Sequence, residues 1–172
     1  AYIKGSILAF SISKKTVTPL IKDKYALHSI WNNGGTTGLA FYGDNTYRGG
    51  SLRLYGKGGE EGSKLSLLTL PEKCSFFTAP LATTTAPVSN YLYCAIPRNS
   101  QTFKLAIMPD NYFKGAAITE DDLVKINLDD GSLNAVFSPA DNPIEIYKIS
   151  AGEKEVYFLN RNNDALYSVP NK

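Results

Sequence analysis

Acidic residues stand side by side at three places in the chain, Glu60-Glu61, Glu120-Asp121-Asp122 and Asp129-Asp130. Two carboxyl groups a short distance apart are what a glycosidase uses, one as the acid and the other as the base or nucleophile. All three groups lie near predicted turns, where adjacent acids are typical of solvent-exposed charge. A hydrolase that works through paired carboxylates is therefore the enzyme alternative, and the main prediction is that the protein is not an enzyme.

The chain has a single histidine, His28, that could act as the base in nucleophilic catalysis. His28 lies in the apolar segment 25–31, and in an alternating strand the neighbouring Ser29 points to the opposite face. We expect a structural histidine. The glycine-rich segment 56–62 lacks the Lys-Ser/Thr pair and the following helix of a phosphate-binding loop, so it predicts a hairpin tip.

The two cysteines bear on the compartment of the protein. Cys74 and Cys94 enclose about 20 residues, and a disulfide closing such a loop contributes about 3 kcal/mol. The alternative is two buried thiols in a reducing compartment. The chain begins with Ala rather than Met, which is typical of a protein after removal of a signal peptide. These features predict a secreted or periplasmic protein with a Cys74–Cys94 disulfide.

Composition excludes some classes of partner. No apolar run approaches the roughly 20 residues that span a bilayer. The net charge is +2, with 18 cations dispersed among 16 anions, so we expect no nucleic-acid partner. The nearest approach to a basic cluster lies in the first 24 residues and is expected to be a solvated face: Lys4, Lys14, Lys15, Lys22 and Lys24.

Periodicity predicts short strands almost everywhere, separated by turns rich in Gly and Pro. Only residues 119–124, with a capping Thr followed by acids, predict a single helical turn. The pattern predicts an all-β antiparallel sandwich with little helix, in one domain over residues 1–172. The predicted strands cover residues 7–12, 38–42, 51–55, 65–70, 75–78, 91–96, 103–108, 144–149 and 156–159.

One segment occurs twice. Residues 39–49 are echoed by residues 105–115 with Leu, Ala, Asp, Asn and Gly identical, and an aromatic residue and a cation precede the final Gly in both. Such self-similarity indicates a duplicated supersecondary unit. We place the two copies near residues 36–80 and 102–140, with extra strands at both ends.

The spacing within each copy resembles the folded hairpin of the βγ-crystallin Greek key family over residues 36–137. The first copy has Tyr42, Tyr47 and Gly49 in the aromatic, aromatic and glycine positions, and the second has Met108, Phe113 and Gly115. A folded-over hairpin needs a glycine that takes positive φ and buries its aromatic pair against the bend. The resemblance implies a duplicated Greek key sandwich.

That family resemblance also implies calcium sites built from carboxylate and hydroxyl oxygens. The first copy keeps Glu72 and Ser75, and the second keeps Asp129 and Asp130. Both copies depart from the family signature, with Pro71 in the leading position of the first and Leu133 where the second should have Ser. We therefore predict no cofactor, with calcium at Glu72, Asp129 and Asp130 as the alternative.

Function is predicted from the surface. The chain has eleven tyrosines, and tyrosine is a side chain that is enriched at binding surfaces. We expect contacts at hairpin tips, with Tyr112 exposed beside Asn111 and with Lys57 and Glu60 in the segment 56–62. The prediction is a non-catalytic, exported binding module that recognises a protein or cell-surface ligand. A small secreted toxin or effector-like protein, and a proteinase inhibitor that uses residues 56–62, are the alternatives.

Overall fold

The computed structural model describes residues 3–43, 48–78, 90–140 and 143–171. Within them, twelve antiparallel strands form three sheets, and helix is confined to two short α-helices and one 3-10 turn. The prediction of an all-β antiparallel fold with little helix is confirmed. The chain divides into two compact units, Ala1–Pro71 with Gln101–Ala117 and Glu72–Ser100 with Ile118–Lys172. The single-domain assignment stays a prediction.

Unit 1 contains a five-stranded meander in chain order. The 16-residue strand β2 pairs with β1 through its first part and with β3 through its last part. Its buried core includes Ile21, Ala40 and Tyr55, with Leu20, Leu27 and Trp31 packed against them. The strands are β1 Lys4–Ser11, β2 Thr16–Trp31, β3 Thr37–Gly43, β4 Ser51–Gly56 and β5 Glu61–Lys64.

Two helices belong to the part of the chain where a strand was predicted. The helix α1 covers Ser100–Leu105 and α2 covers Asp110–Phe113, so the predicted strand 103–108 is wrong. In α1 only Phe103 is buried, and its other apolar residue, Leu105, is exposed. Such a mostly polar segment can bury one side of a helical turn but cannot fill one face of a strand. The predicted strand 65–70 is also wrong, since these residues lie outside the strands.

The two copies of the repeat have different structures. The first forms the β3–β4 hairpin, with Tyr42 opposite Ser51, whereas the second runs through α2. The prediction of a folded hairpin in the second copy is therefore wrong. What the copies share is the backbone at the final glycine, because Gly49 has φ +65° and Gly115 has φ +72°. Residues 44–47, including Tyr47, lie outside the described residues.

Unit 2 contains two meanders. One has the order β6-β7-β8-β9 and follows a 3-10 turn at Pro71–Lys73, and the other has the order β10-β11-β12. The largest side chains of the shared core are Tyr93, Leu123 and Phe158. The strands are β6 Cys74–Thr78, β7 Asn90–Pro97, β8 Asp121–Asn127, β9 Leu133–Phe137, β10 Ile146–Ala151, β11 Glu155–Asn160 and β12 Ala165–Pro170.

The predicted helical turn at residues 119–124 is wrong, because this segment leads into β8. Leu123 pairs with Ala95 of β7 on one side and with Phe137 of β9 on the other. Pairing on both sides stabilises the strand more than a capped acidic turn stabilises a helix. The Greek key is not confirmed, because the hydrogen-bonded neighbours in each sheet are consecutive strands.

The predicted disulfide is confirmed. Cys74 and Cys94 lie directly opposite each other in the β6–β7 ladder and are bonded. Both side chains are buried. Among the described residues no helix is long and apolar enough to cross a membrane.

Candidate functional site

The residues predicted for calcium lie in two turns of unit 2. Glu72 is half-buried in the 3-10 turn, and Asp129 and Asp130 are exposed between β8 and β9. Hydrogen bonds from Ser132 lower the pKa of Asp130, and its Oδ1 accepts from Ser132 N at 2.8 Å. In the described part of the chain no three His, Cys, Asp or Glu side chains gather where they could hold a metal. The calcium site stays a prediction.

Tyr112 does not have the exposure that was predicted for it. It is 3% exposed, and its ring lies 5.6 Å from the ring of Phe113. The prediction of an exposed Tyr112 is wrong because the segment forms α2, which turns this side chain inward. The neighbouring Asn111 is half-buried, and its backbone carbonyl accepts from Ala116 N.

Lys57 and Glu60 lie in the turn between β4 and β5, as the sequence predicts, and both are exposed. Glu60 Oε2 accepts a hydrogen bond from Gly58 N at 2.9 Å. Gly56 N donates to the Glu60 carbonyl. Glu60 therefore stabilises the turn, and Lys57 presents its charge to solvent.

The other predicted acids have separate partners. Glu61 pairs with Arg53 at 2.7 Å, and Asp122 pairs with Arg98 at 2.8 Å. Asp121 and Asp122 are adjacent in β8, so their side chains point to opposite faces. The hydrolase alternative stays a prediction.

His28 lies in β2 opposite Phe41, and its ring centroid is 5.1 Å from that of Phe113. Ser29 lies opposite Ala40, on the other face of the strand. These positions match the expectation of a histidine packed among apolar side chains.

An exposed apolar surface lies on β1 and the first part of β2, residues 3–24, which we call the N-terminal hairpin. Its inner face packs into unit 1 through the opposed pair Ile7 and Ile21. On its outer face Phe10 lies opposite Val17, and these side chains are 63% and 58% exposed. Leu8 on the same face is 58% exposed. These three side chains leave apolar surface exposed on unit 1.

The same hairpin provides an open sheet edge. Within the described residues β1 has a hydrogen-bonded neighbour on one side only. The ladder is irregular between Gly5 and Leu8 and regular from Leu8 to Ser11, where the chain has no charged residue. Bulges and charges are the usual protection of an edge strand. The segment 8–11 lacks both.

Charge is segregated between the two units. Unit 1 has eleven Lys and Arg against five Asp and Glu, and unit 2 has seven against eleven, giving net charges of +6 and −4. The N-terminal hairpin alone has five lysines and one acid, Asp23. An open cleft of about 480 Å³ in unit 1 is lined by Arg48, Lys64 and Lys104 and by no acid. Unit 1 is therefore the basic unit of the chain, and unit 2 is the acidic one.

A cluster of charged and polar side chains is buried in unit 2. Lys73 and Asp121 have no exposed side-chain surface, and Lys73 Nζ lies 2.6 Å from Asp121 Oδ2. Lys73 Nζ also donates to Thr119 Oγ1 at 2.6 Å, and Ile146 N donates to Asp121 Oδ2 at 2.8 Å. Burial lowers the pKa of Lys73, and the Asp121 carboxylate opposes that change.

Glu145 adds a second buried carboxyl group to this cluster. It is 2% exposed, and its Oε1 lies 3.2 Å from Arg161 Nη1. Burial raises the pKa of Glu145, and the charges of Lys73 and Arg161 oppose that change. We call Lys73, Thr119, Asp121 and Glu145 the buried cluster.

Comparison of the chain with protein-family models and with curated proteins gives no match. The resemblance to the βγ-crystallins therefore rests on the aromatic and glycine positions alone. Function is argued from the surfaces of unit 1 and the buried cluster of unit 2.

Proposed function

We propose that the protein is a non-catalytic, exported binding module that recognises a protein partner through the N-terminal hairpin. The observation that carries the proposal is the exposed apolar outer face at an open sheet edge, formed by Leu8, Phe10 and Val17. Side chains that the fold leaves in water gain free energy when a partner covers them, at about 25 cal/mol per Å² of apolar surface. The disulfide supports the exported part of the proposal, since disulfides persist in oxidising compartments.

The partner is a protein segment in extended conformation that adds a strand beside β1. A new strand would pair with the backbone groups of the open edge, and its side chains would contact Leu8 and Phe10. The five lysines of the hairpin favour a segment that also carries Asp or Glu. A lipid surface would satisfy the lysines and the apolar side chains but would leave the backbone of the edge without hydrogen-bond partners.

A peptide-display selection tests the proposal even though the natural partner is unidentified. A random peptide library is selected on the immobilised protein, and enriched peptides are measured in solution by fluorescence anisotropy. We expect sequences that alternate apolar and acidic residues. Their affinity should fall by at least about tenfold in Phe10→Ser and Val17→Ser, a loss of about 1.4 kcal/mol. It should also fall with added salt.

Leu166→Ser provides a matched control, because Leu166 is an equally exposed strand residue of unit 2 at 68% exposure. It should leave the affinity unchanged. Three results contradict the proposal. The first is that replacing Phe10 leaves the affinity for the selected peptides unchanged. The others are that the hairpin is needed only for binding to vesicles that contain anionic lipid, or that it is needed for association of the chain with itself. Light scattering over a range of concentrations detects the last.

A further inference from the structure

We propose that Lys73 and Asp121 become joined by an amide bond that the chain forms by itself. The two side chains are in contact at 2.6 Å and fully buried. Groups held at contact distance react as if present at very high concentration, with effective molarities of about 10⁵ M or more in well-oriented cases. The buried cluster thereby becomes a site of covalent self-modification in addition to the binding surface of unit 1.

The reaction needs no other reagent. A proton passes from the Lys73 ammonium to the Asp121 carboxylate, which leaves a neutral amine beside a neutral acid. The Nζ–Cγ bond forms and one Cγ–O bond breaks. Of the three ammonium hydrogens one stays on the amide nitrogen and two leave with the oxygen as water. The charges of the pair cancel, and nothing is oxidised or reduced.

The hydrogen bonds of the cluster indicate which oxygen leaves. Asp121 Oδ2 is held by Ile146 N, whereas Asp121 Oδ1 is buried with no hydrogen-bond partner within the described residues. Loss of Oδ1 removes the unsatisfied atom, whose burial is unfavourable by about 1–3 kcal/mol. In the product Oδ2 still accepts from Ile146 N, and the amide N–H donates to Thr119 Oγ1. The cluster therefore fits the amide better than the ion pair.

Glu145 acts on the pair through its charge. That charge acts on Lys73, and the charge of Asp121 acts on Glu145 in turn. Glu145 is not one of the two reacting groups, so its replacement leaves the atoms that form the bond in place.

Intact-mass measurement of the purified, disulfide-reduced and denatured chain tests the proposal directly. We expect the wild-type chain to be lighter than its sequence mass by one water molecule. Proteolysis followed by fragmentation should yield a branched peptide that contains both Lys73 and Asp121. This measurement needs no variant, so it is decisive even where a substitution in the cluster prevents folding.

Variants locate the reacting groups. Lys73→Met should keep the full sequence mass, and Lys154→Met, an exposed lysine of the same unit, should still lose water. Asp121→Asn should reach the same product by losing ammonia. Glu145→Gln keeps both reacting groups and should still lose water. A folded wild-type chain and a folded Asp121→Asn chain that both keep their full mass after prolonged incubation at neutral pH overturn the proposal.

Discussion

Replacing Lys73 by Met isolates the charge of Asp121. The substitution leaves a carboxylate with 0% exposure without the ammonium group that faces it at 2.6 Å. Breaking a buried ion pair on one side lowers the free energy of unfolding by about 3–5 kcal/mol. Globular proteins have about 5–15 kcal/mol in total, so Lys73→Met should lose a large part of its stability.

The double variant Lys73→Met/Asp121→Asn should recover most of that loss. Asn removes the buried charge and keeps an oxygen to accept from Ile146 N. We expect it to be more stable than Lys73→Met by about 3 kcal/mol. Both variants lack the lysine, so neither can form the proposed amide, and the comparison measures the charge alone.

Urea denaturation at neutral pH, with the disulfide intact, measures the difference. Equal slopes of the free energy against urea show that both variants unfold by the same amount. A double variant no more stable than Lys73→Met would refute the reasoning, since Asp121 would then have access to water or another cation.

Four other predictions concern the disulfide, the glycine turns, the pH dependence of stability and calcium binding. Replacing Cys74 and Cys94 together by Ala should lower the stability by about 3 kcal/mol in urea, and a loss below about 1 kcal/mol would contradict it. Gly49→Ala and Gly115→Ala should each lower the free energy of unfolding by about 1–2 kcal/mol, because both glycines have left-handed φ. An unchanged melting temperature would contradict this. The pKa of Glu145 is raised above its ordinary 4.5, so its contribution to stability should fall as pH rises above that value, and Glu145→Gln should remove this fall. Millimolar calcium should raise the melting temperature if an ion binds, and no shift would end that alternative.

Local pattern predicted most of unit 2 and part of unit 1. Alternation identified β3, β4, β7 and β11 within one or two residues, since each has a run of apolar or aromatic side chains between turns. It wrongly predicted strands at residues 65–70 and 103–108, and the list of predicted strands had none at β2, β5, β9, β12 or β8. There the outcome depends on long-range partners: Leu123 becomes part of a strand because Ala95 and Phe137 lie on either side of it.

The buried cluster was not predicted, because nothing close to Lys73 in sequence distinguishes it from an exposed lysine. Its partner Asp121 is 48 residues away, and Asp121 looked like one of three solvated acids. The charge segregation was missed for a related reason. Unit 1 consists of two separate parts of the chain, and its second part, Gln101–Ala117, follows a segment that belongs to unit 2. Counting charged residues in sequence order therefore mixes the two units. The exposed apolar residues of β1 were assigned to a strand, but the sequence does not say which face is covered.

The covalent bonds of unit 2 involve neighbouring residues. Cys74 links β6 to β7 through Cys94, and the proposed amide would link the preceding residue, Lys73, to the start of β8. Sheet neighbours β6, β7 and β8 would then be joined by two bonds that do not depend on the hydrophobic core. Each bond restricts the unfolded chain, and an amide closing about 48 residues would add about 4 kcal/mol by the same loop-entropy reasoning as the disulfide. Among the described residues the only disulfide is in unit 2, whereas unit 1 has the basic, apolar N-terminal hairpin. Covalent reinforcement of one unit and an exposed apolar surface on the other are consistent with the proposal of an exported binding module.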